Sequence, residues 1–341
     1  MCNIAGYVGS RHAAPILLDM IEAQEGLAGG YYTGIATIHD GQLHYEKVVG
    51  DTQQLRNTTS AADLPGTIGI AHSRSKSGGD REWGQPFVNC DRTVAYLANG
   101  SMGYWQGKTD TSALAAQLHE AGHHFLAVSD EPIGSYPVLP DGRGVHTSEL
   151  MCHAISAELT AGAAPMAAIA STFTSWPAEI VGLYLAAQHP DAIFAARWNM
   201  PVCMGRTSDG SYLASAPRAL PAEANWRMWV PPCSVARVSA TEVELAAMGL
   251  PEQALTADIE PGQAREAILG ALQSSDGKTI GELNAVVGPL ASRDDRRLTY
   301  QTVYQLLSDL ESERLVSHRI DRVEGAEPHL TAPRFRFIMA G

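Results

Sequence analysis

The chain begins with MCNIAGYVG (residues 1–9), a mostly apolar run in which Cys2 directly follows the initiator methionine. A methionine that precedes a small residue is a good substrate for removal, which would leave Cys2 with a free α-amine beside its thiol. This amine titrates near ~7.7–8.0, so part of it can accept the thiol proton at neutral pH. The alternative interpretation is a small buried residue in a first strand, because free cysteines are often just that.

Composition limits the classes of protein to which the chain can belong. With 341 residues, of which 45% are hydrophobic, it is long enough for two domains with cores of their own. The formal net charge of −13 argues against a general affinity for nucleic acids or anionic membranes. No apolar run approaches the ~18–20 residues of a membrane span, and we see no signal peptide. The five cysteines are irregularly spaced, so we expect free thiols in a cytoplasmic protein.

Hydrophobic periodicity and turn residues predict a mixture of helices and strands. The predicted helices are residues 13–26, 111–121, 148–162 and 176–188, and the predicted hairpins and strands are residues 34–49, 67–73, 93–98 and 191–214. This mixed order favours sheets covered by helices.

The pattern changes towards the end of the sequence. Residues 247–262 lack clear periodicity and predict a linker between a first domain at 1–246 and a second at 263–341. The second domain reads as helices at 264–272, 279–287 and 299–313, followed by strands at 315–321 and 334–339. Three helices followed by a two-stranded wing is the order of a winged helix-turn-helix.

Three segments of the first domain resemble those of class II glutamine amidotransferases, whose mature chains begin at a catalytic cysteine. The opening residues 2–9 are similar to that N-terminus, GIAHSR (69–74) resembles the family's GIGHTR, and ANG (98–100) resembles its HNG. The similarity covers roughly residues 2–245 and is strongest to the glutaminase domain of glucosamine-6-phosphate synthase. It implies an α+β N-terminal-nucleophile hydrolase, a four-layer αββα sandwich, here followed by the winged-helix-like domain.

The resemblance also implies roles for individual residues. Cys2 would attack the amide carbon of L-glutamine to form a glutamyl thioester, and the side chain of Asn99 with the backbone N–H of Gly100 would form the oxyanion hole. Arg74 would clamp the α-carboxylate of the substrate, and Ser77 stands where relatives have a substrate-contacting threonine. Singly, Asn99-Gly100 reads as a turn and Arg74 as a surface ion pair, but their joint occurrence with Cys2 favours a site. No metal or organic cofactor is implied.

One departure from the family bears on the substrate. Relatives have an aspartate that binds the substrate α-ammonium, and the best match here, HTSE (146–149), places Thr147 at that position. Either a carboxylate of the preceding insertion supplies the charge, or free L-glutamine is not the true substrate. The candidates are Asp130, Glu131 and Asp141.

Residues 246–341 are too few for the sugar isomerase domain of glucosamine-6-phosphate synthase. We therefore expect a glutaminase that acts alone or for a separate acceptor subunit, in a monomer or a homo-oligomer. Two alternatives remain open. One is an amidohydrolase for a modified glutamine or another small amide, and the other is a ligand-binding sensor that signals through the winged-helix module.

The partner of that module is also open. Residues 256–341 carry ten Lys or Arg and thirteen Asp or Glu, and this net charge of −3 lacks the basic footprint typical of DNA binding. We therefore favour a protein–protein or dimerisation module over DNA contact. In the DNA alternative the recognition helix is 299–313 and the residues facing the groove are Arg296, Arg297, Thr299, Tyr300, Gln301 and Gln305.

HEAGH (119–123) matches the HExxH pattern of zinc metalloproteases, which needs both histidines on one continuing helix. Gly122 falls where this helix should end, so we expect surface histidines here and no metal site.

Overall fold

The computed structural model describes residues 2–76, 78–99, 109–177, 181–249, 258–292 and 299–341. Two antiparallel sheets dominate them. The larger sheet contains, in spatial order and with numbers that follow the chain, Trp226–Trp229 (β13), Cys203–Thr207 (β11), Gly210–Ala214 (β12), Asn3–Gly9 (β1), Ile68–Arg74 (β4), Tyr32–His39 (β2) and Gln42–Val49 (β3). The smaller sheet contains Val243–Ala247 (β15), Ser234–Ser239 (β14), Ala192–Arg197 (β10), Val181–Ala186 (β9), Val94–Ala98 (β6) and Phe87–Val88 (β5).

The described residues also contain two further strand pairs, eight α-helices and four short 3₁₀ helices. The pairs are Val128–Ser129 (β7) with Gly144–Val145 (β8), and Val316–Glu324 (β16) with Thr331–Met339 (β17). The helices are Ala13–Glu25 (α1), Thr52–Thr58 (α2), Thr111–Glu120 (α3), Thr147–Thr160 (α4), Pro165–Ser175 (α5), Pro261–Gln273 (α6), Ile280–Val287 (α7) and Tyr300–Ser312 (α8). The predicted mixture of helices and sheets is confirmed, and both large sheets are antiparallel.

The two sheets pack face to face, with helices on their outer faces. Side chains alternate along β1, so Ile4 enters the core between the sheets while Ala5 and Tyr7 pack on the side of α1. Gly6 faces the other sheet, and a Cβ there would lie 3.1 Å from Ile193 Cδ1, so a larger residue would require that side chain to shift by a few tenths of an ångström. Helices α4 and α5 cover the smaller sheet in the same way.

The two predicted hairpins are confirmed. In the β2–β3 turn, Asp40 has φ 50° and Gly41 has φ 72°, the left-handed pair that a two-residue hairpin turn requires. The β11–β12 turn consists of Ser208 and Asp209, and Gly210, with φ 150°, begins β12. These turns fix the registers that place β2 and β12 beside the central strands β4 and β1.

The prediction of a helix at residues 176–188 is wrong. The helix ends at Ser175, and Val181–Ala186 form β9 inside the smaller sheet, between β10 and β6. Every residue of β9 is buried, so its sequence VGLYLA is a continuous apolar run rather than an alternating one. Such a run does not separate a buried strand from a buried helix by its period.

The described residues from 258 onward, which we call the C-terminal module, contain α6, α7, α8 and the β16–β17 pair in the predicted order. Helix α7 begins with a capping box in which Thr279 and Glu282 bond each other's backbone N–H groups. Strand β15 ends at Ala247 and α6 begins at Pro261, so the predicted linker 247–262 overlaps both, while residues 250–257 lie outside the described residues. The domain boundaries stay a prediction.

The C-terminal module is docked on the first part of the chain. Its hydrophobic core includes Leu27 and Ala216 from that part. The backbone N–H of Phe335 donates to the Gly26 carbonyl at 2.8 Å. Elsewhere in the interface, ion pairs join Arg322 to Asp51 at 2.6 Å and Lys76 to Glu324 at 3.1 Å.

All five cysteines lie among the described residues and are free thiols there, as the sequence analysis expects. No helix in the described ranges is both long and apolar enough to cross a bilayer.

Replacing Gly26 tests the docking of the module. A Cβ at this position would lie 2.3 Å from Cε1 of the buried Phe335 ring, so we expect Gly26→Ala to lower the free energy of unfolding by about 1–3 kcal/mol. Urea denaturation measures the change. The control is Gly270→Ala in α6, where nothing lies within 4 Å and alanine should stabilise the helix by about 0.5–1 kcal/mol. A Gly26→Ala protein as stable as wild type would contradict the close packing.

Candidate active site

Cys2 lies at the start of the central strand β1, where the two sheets meet at one end. The residue is buried, with 9% of its surface exposed. Its Sγ lies 3.8 Å from the hydroxyl oxygen of Ser75, which follows β4. The structure thus places the thiol beside the end of the GIAHSR segment, although the two are more than 70 residues apart in sequence.

Asn99 holds the backbone of Cys2 from both sides. It follows β6, and its own N–H donates to the Val181 carbonyl at 3.0 Å. The Asn99 Oδ1 accepts from the N–H of Cys2 at 3.4 Å, and its Nδ2 donates to the Cys2 carbonyl at 3.1 Å. An amide nitrogen carries two hydrogens, so the second N–H remains available to a group above the thiol.

His72 is a neighbour of Cys2 to which the sequence analysis gives no role. It faces Ile4 across the β1–β4 pair and is fully buried, and its Nε2 lies 3.1 Å from the Ala98 carbonyl, to which it donates. Burial alone would raise the pKa of the Cys2 thiol, but interaction with His72, the charge of the amino terminus and the Ser75 backbone together outweigh it, and the pKa falls to about 6. The thiol is therefore largely ionised at neutral pH. The histidine in GIAHSR was the available signal.

Arg74, the last residue of β4, buries its guanidinium, with 1% of the residue exposed. Its Nη1 donates to the Gly78 carbonyl at 3.0 Å and its Nη2 to the Tyr136 hydroxyl at 3.2 Å. The ring centroids of Tyr32 and Trp83 lie 4.7 Å and 5.8 Å from Cζ, so aromatic faces also surround the charge. No carboxylate within the described ranges pairs with it. The sequence-based alternative of a surface ion pair is wrong.

The residues at the start of α4 lie beside Tyr136 and the Arg74 guanidinium, and we call the Tyr136 and His146 side of the site its aromatic wall. His146 is the N-cap of the helix, its Nδ1 accepts from the Ser148 N–H at 3.1 Å, and its Nε2 lies 3.5 Å from the Tyr136 hydroxyl. Burial lowers the pKa of His146 well below its usual range, and the charge of Arg74 acts in the same direction. Thr147 begins the helix and is buried, with 2% exposed. His146 is therefore a neutral ring beside the guanidinium.

The three carboxylates considered as replacements for the missing aspartate lie on the surface. Asp130, Glu131 and Asp141 are exposed, and Asp141 pairs with Arg143 at 2.7 Å. The same insertion nevertheless contributes to the site, because it supplies Tyr136 to Arg74 and places Ile133 over Gly78.

A buried carboxylate supports β4 from behind. Glu25, at the end of α1, accepts from the hydroxyls of Ser73, Thr33 and Thr52 and from the Thr52 N–H, at 2.7–3.2 Å. Burial raises the pKa of the Glu25 carboxyl to about 7, although these donors act against the rise. The network fixes Ser73, and with it the two flanking residues His72 and Arg74, which face the site.

Helix α8 of the C-terminal module lies near Cys2. Tyr304 of α8 is buried, and its hydroxyl has no hydrogen-bond partner among the described residues. Burial raises the pKa of the Tyr304 hydroxyl, and the proximity of Tyr300 and Cys2 raises it further. One turn earlier, Gln301 accepts from Arg197 Nη2 at 2.6 Å. Tyr300 packs against the core between the two sheets, so two of the residues considered for a DNA groove, Tyr300 and Gln301, contact the first part of the chain.

The structure brings Cys2, Asn99 and Arg74 together, with Thr147 at the end of the same aromatic wall. Gly100 and Ser77 lie outside the described residues, as do Arg296 and Arg297 of the proposed recognition helix. Sequence reasoning missed His72, Trp83, Tyr136 and Tyr304. The last three come from segments without a recognisable motif, so only the fold reveals them.

Comparison with known proteins identifies similar enzymes. No family model matches the chain. Glutamine–fructose-6-phosphate aminotransferase (isomerizing) from Zymomonas mobilis is 26% identical over 220 residues, which cover 64% of this chain and 32% of that protein. The enzyme of the same name from Bacteroides thetaiotaomicron is 28% identical over 222 residues, which cover 63% and 32%. The chain thus spans about a third of the length of these relatives.

Solved structures share the fold at lower sequence identity. A glutamine phosphoribosylpyrophosphate amidotransferase from B. subtilis superposes with a TM-score of 0.59 at 17% identity, covering 81% of this chain and 59% of its own. A structure described as the allosteric regulatory enzyme of purine biosynthesis gives a TM-score of 0.60 at 16% identity, with the same coverage. Sequence relatives and structural neighbours agree, and the conclusion is that this chain is similar to class II glutamine amidotransferases, a family of enzymes.

Proposed function

We propose that the chain hydrolyses the side-chain amide of L-glutamine to glutamate and ammonia, with Cys2 as the nucleophile. The observation that carries the proposal is the buried guanidinium of Arg74, which has no carboxylate partner among the described residues and lies near a thiol of low pKa. Burying an unpaired charge is costly, so this site favours a ligand that brings a carboxylate to Arg74. The α-carboxylate of glutamine fits that requirement.

The proposed chemistry begins with the removal of Met1, which frees the α-amine of Cys2. Because the thiol has a pKa of about 6 and an α-amine titrates near ~7.7–8.0, the resting site at neutral pH holds a thiolate beside an ammonium. The thiolate attacks the amide carbon, and the C–N bond then breaks as the ammonium passes its proton to the departing ammonia. Water hydrolyses the resulting glutamyl thioester and restores the thiol.

Asn99 and Gly100 are the proposed oxyanion hole. The Asn99 amide is held by its bonds to Cys2, so its second N–H is oriented before the substrate arrives. Such preorganised donors lower the barrier because they need no rearrangement when negative charge develops on the carbonyl oxygen. Ser77 and Thr147 are proposed contacts of the substrate, Thr147 through its hydroxyl. No cofactor is required.

The fold supports this assignment at a finer level. We interpret the helix–sheet–sheet–helix order as the αββα sandwich of an N-terminal-nucleophile hydrolase, since β1 is central and begins at the nucleophile. We interpret the C-terminal module as a winged helix whose α8 packs towards Cys2 instead of facing a DNA groove. In this interpretation ammonia leaves to solution or to a separate acceptor subunit.

Thr147 favours a second candidate, the hydrolysis of a modified glutamine or another small amide. The hydroxyl at this position supplies no charge for an α-ammonium, and the nearby insertion offers only exposed carboxylates. A panel of γ-glutamyl amides and N-acylated glutamines, compared with L-glutamine by kcat/KM, separates the two candidates.

The direct test replaces the nucleophile. We expect protein verified by mass spectrometry to lack Met1 to release equimolar glutamate and ammonia from L-glutamine, and Cys2→Ala to release none. Cys203→Ala is the matched control, because this cysteine is also buried in the larger sheet but lies away from Asn99. Undiminished release by Cys2→Ala would refute the nucleophile. No release from any glutamine derivative by folded, processed protein would refute the function.

The ionisation of Cys2 gives a prediction that does not depend on the substrate. We expect the rate of Cys2 alkylation by iodoacetamide to rise with pH around a midpoint near 6, because the thiolate forms above the pKa and is lost as pH falls through it. In His72→Gln the contributions of His72 to the lowering are lost while burial remains, so the midpoint should move upward. Free glutathione in the same reaction serves as the reference thiol. An unchanged midpoint would show that His72 is not the cause.

The clamp is tested by Arg74→Lys, which keeps the charge and removes the planar pair of donors. We expect kcat/KM for the preferred amide to fall by roughly 10–10²-fold, since a charge-assisted hydrogen bond contributes about 1.5–3 kcal/mol. Arg56→Lys, at a partly exposed ion pair with Asp19, should leave activity unchanged. Equal activity of the two variants would remove Arg74 from the substrate site.

A further inference from the structure

A second cluster of chemically active side chains lies away from the Cys2 site. Cys90, His123 and His153 place one ligand atom each within 4.8 Å of the others. They come from three separate segments: the turn between β5 and β6, the residues after α3, and the middle of α4. No motif joins these positions in sequence.

The interatomic distances fit one metal ion. The Nδ1 atoms of His123 and His153 are 3.1 Å apart, and Cys90 Sγ lies 3.9 Å from His153 Nδ1. In a tetrahedral zinc site, with Zn–N of about 2.05 Å and Zn–S of about 2.3 Å, the corresponding separations are about 3.3 Å and 3.6 Å. Two of the three separations therefore lie within a few tenths of an ångström of coordination geometry, and the third is at most 4.8 Å.

The polar contacts around the cluster are directed at its ligand atoms. The backbone N–H of His124 donates to Cys90 Sγ at 3.4 Å, a contact that stabilises a thiolate. The buried Nε2 of His153 has no hydrogen-bond partner in the described part of the chain, so the polar contacts of this ring are made through the Nδ1 that faces the cluster.

We propose that Cys90, His123 and His153 bind one Zn²⁺ ion, with the exposed side of Cys90 leaving the fourth position to water. A thiolate with two imidazoles is a donor set that suits zinc, and binding releases the Cys90 proton to solvent. This departs from the expectation that the chain holds no metal. Helix α3 ends at Glu120, so His123 does not lie on the helix that carries His119, as expected from the sequence. The partners of His123 are instead Cys90 and His153.

The site would have a structural role. It ties the β5–β6 turn and the end of α3 to α4, whose first residues, His146 and Thr147, form part of the candidate glutamine site. His153 follows Thr147 by six residues, about 9 Å along the helix, so the ion would position this wall without reaching the amide.

The test uses the full chain in a Cys2→Ala background, which prevents metal binding at the nucleophile. We expect one Zn²⁺ per chain after dialysis, a higher melting temperature with Zn²⁺, and a thiolate-to-metal charge-transfer band when Co²⁺ replaces it. Cys90→Ser and His123→Ala should each weaken binding by more than the ~10–100-fold lost when an outer hydrogen-bond partner of a ligand is removed. Both positions are partly or fully exposed, so these variants should fold.

The control is His124→Ala, which removes the adjacent exposed imidazole while keeping the backbone N–H that contacts Cys90. Its zinc content and Co²⁺ spectrum should equal those of the parent. Folded parent protein that takes up no stoichiometric Zn²⁺ would overturn the proposal. Zinc binding by Cys90→Ser and His123→Ala that is as tight as binding by the parent would overturn it as well, because the ion would then lie elsewhere.

Discussion

The buried guanidinium of Arg74 is the constraint around which the site is arranged. A cation in this position needs compensation, which the protein supplies with the Gly78 carbonyl, the Tyr136 hydroxyl and two aromatic faces rather than with an acid. Each of these contacts fixes a different segment of the chain. A neutral cage of this kind leaves the charge available to a ligand, whereas a protein carboxylate would have neutralised it permanently.

The cage is itself held by backbone contacts. Trp83 Nε1 donates to the Val128 carbonyl at 3.2 Å, and the Tyr32 hydroxyl donates to the Gly79 carbonyl at 2.9 Å. Tyr32 also belongs to a small cluster with Tyr31 and with Ala332 of the C-terminal module. A displacement of the C-terminal module would therefore move residues that contact Arg74 as well as residues near Cys2.

Sequence reasoning located the residues that lie at strand ends in recognisable motifs. Cys2, Arg74 and Asn99 meet because β1, β4 and β6 present corresponding ends, and a local pattern marks each one. The aromatic cage and Tyr304 could not be found in this way, because long-range packing decides which side chains surround a charge. The prediction of a helix at residues 176–188 failed for a related reason. Burial of the strand at 181–186 on both faces removes the alternation by which a strand is recognised.

The position of β1 has a consequence for folding during synthesis. This central strand is flanked by β4 and by β12, whose residues 210–214 lie some 200 positions later in the chain. At about 5–20 residues per second, synthesis puts on the order of ten seconds or more between β1 and its second neighbour. The larger sheet therefore cannot be completed around Cys2 until well after β1 itself has been made.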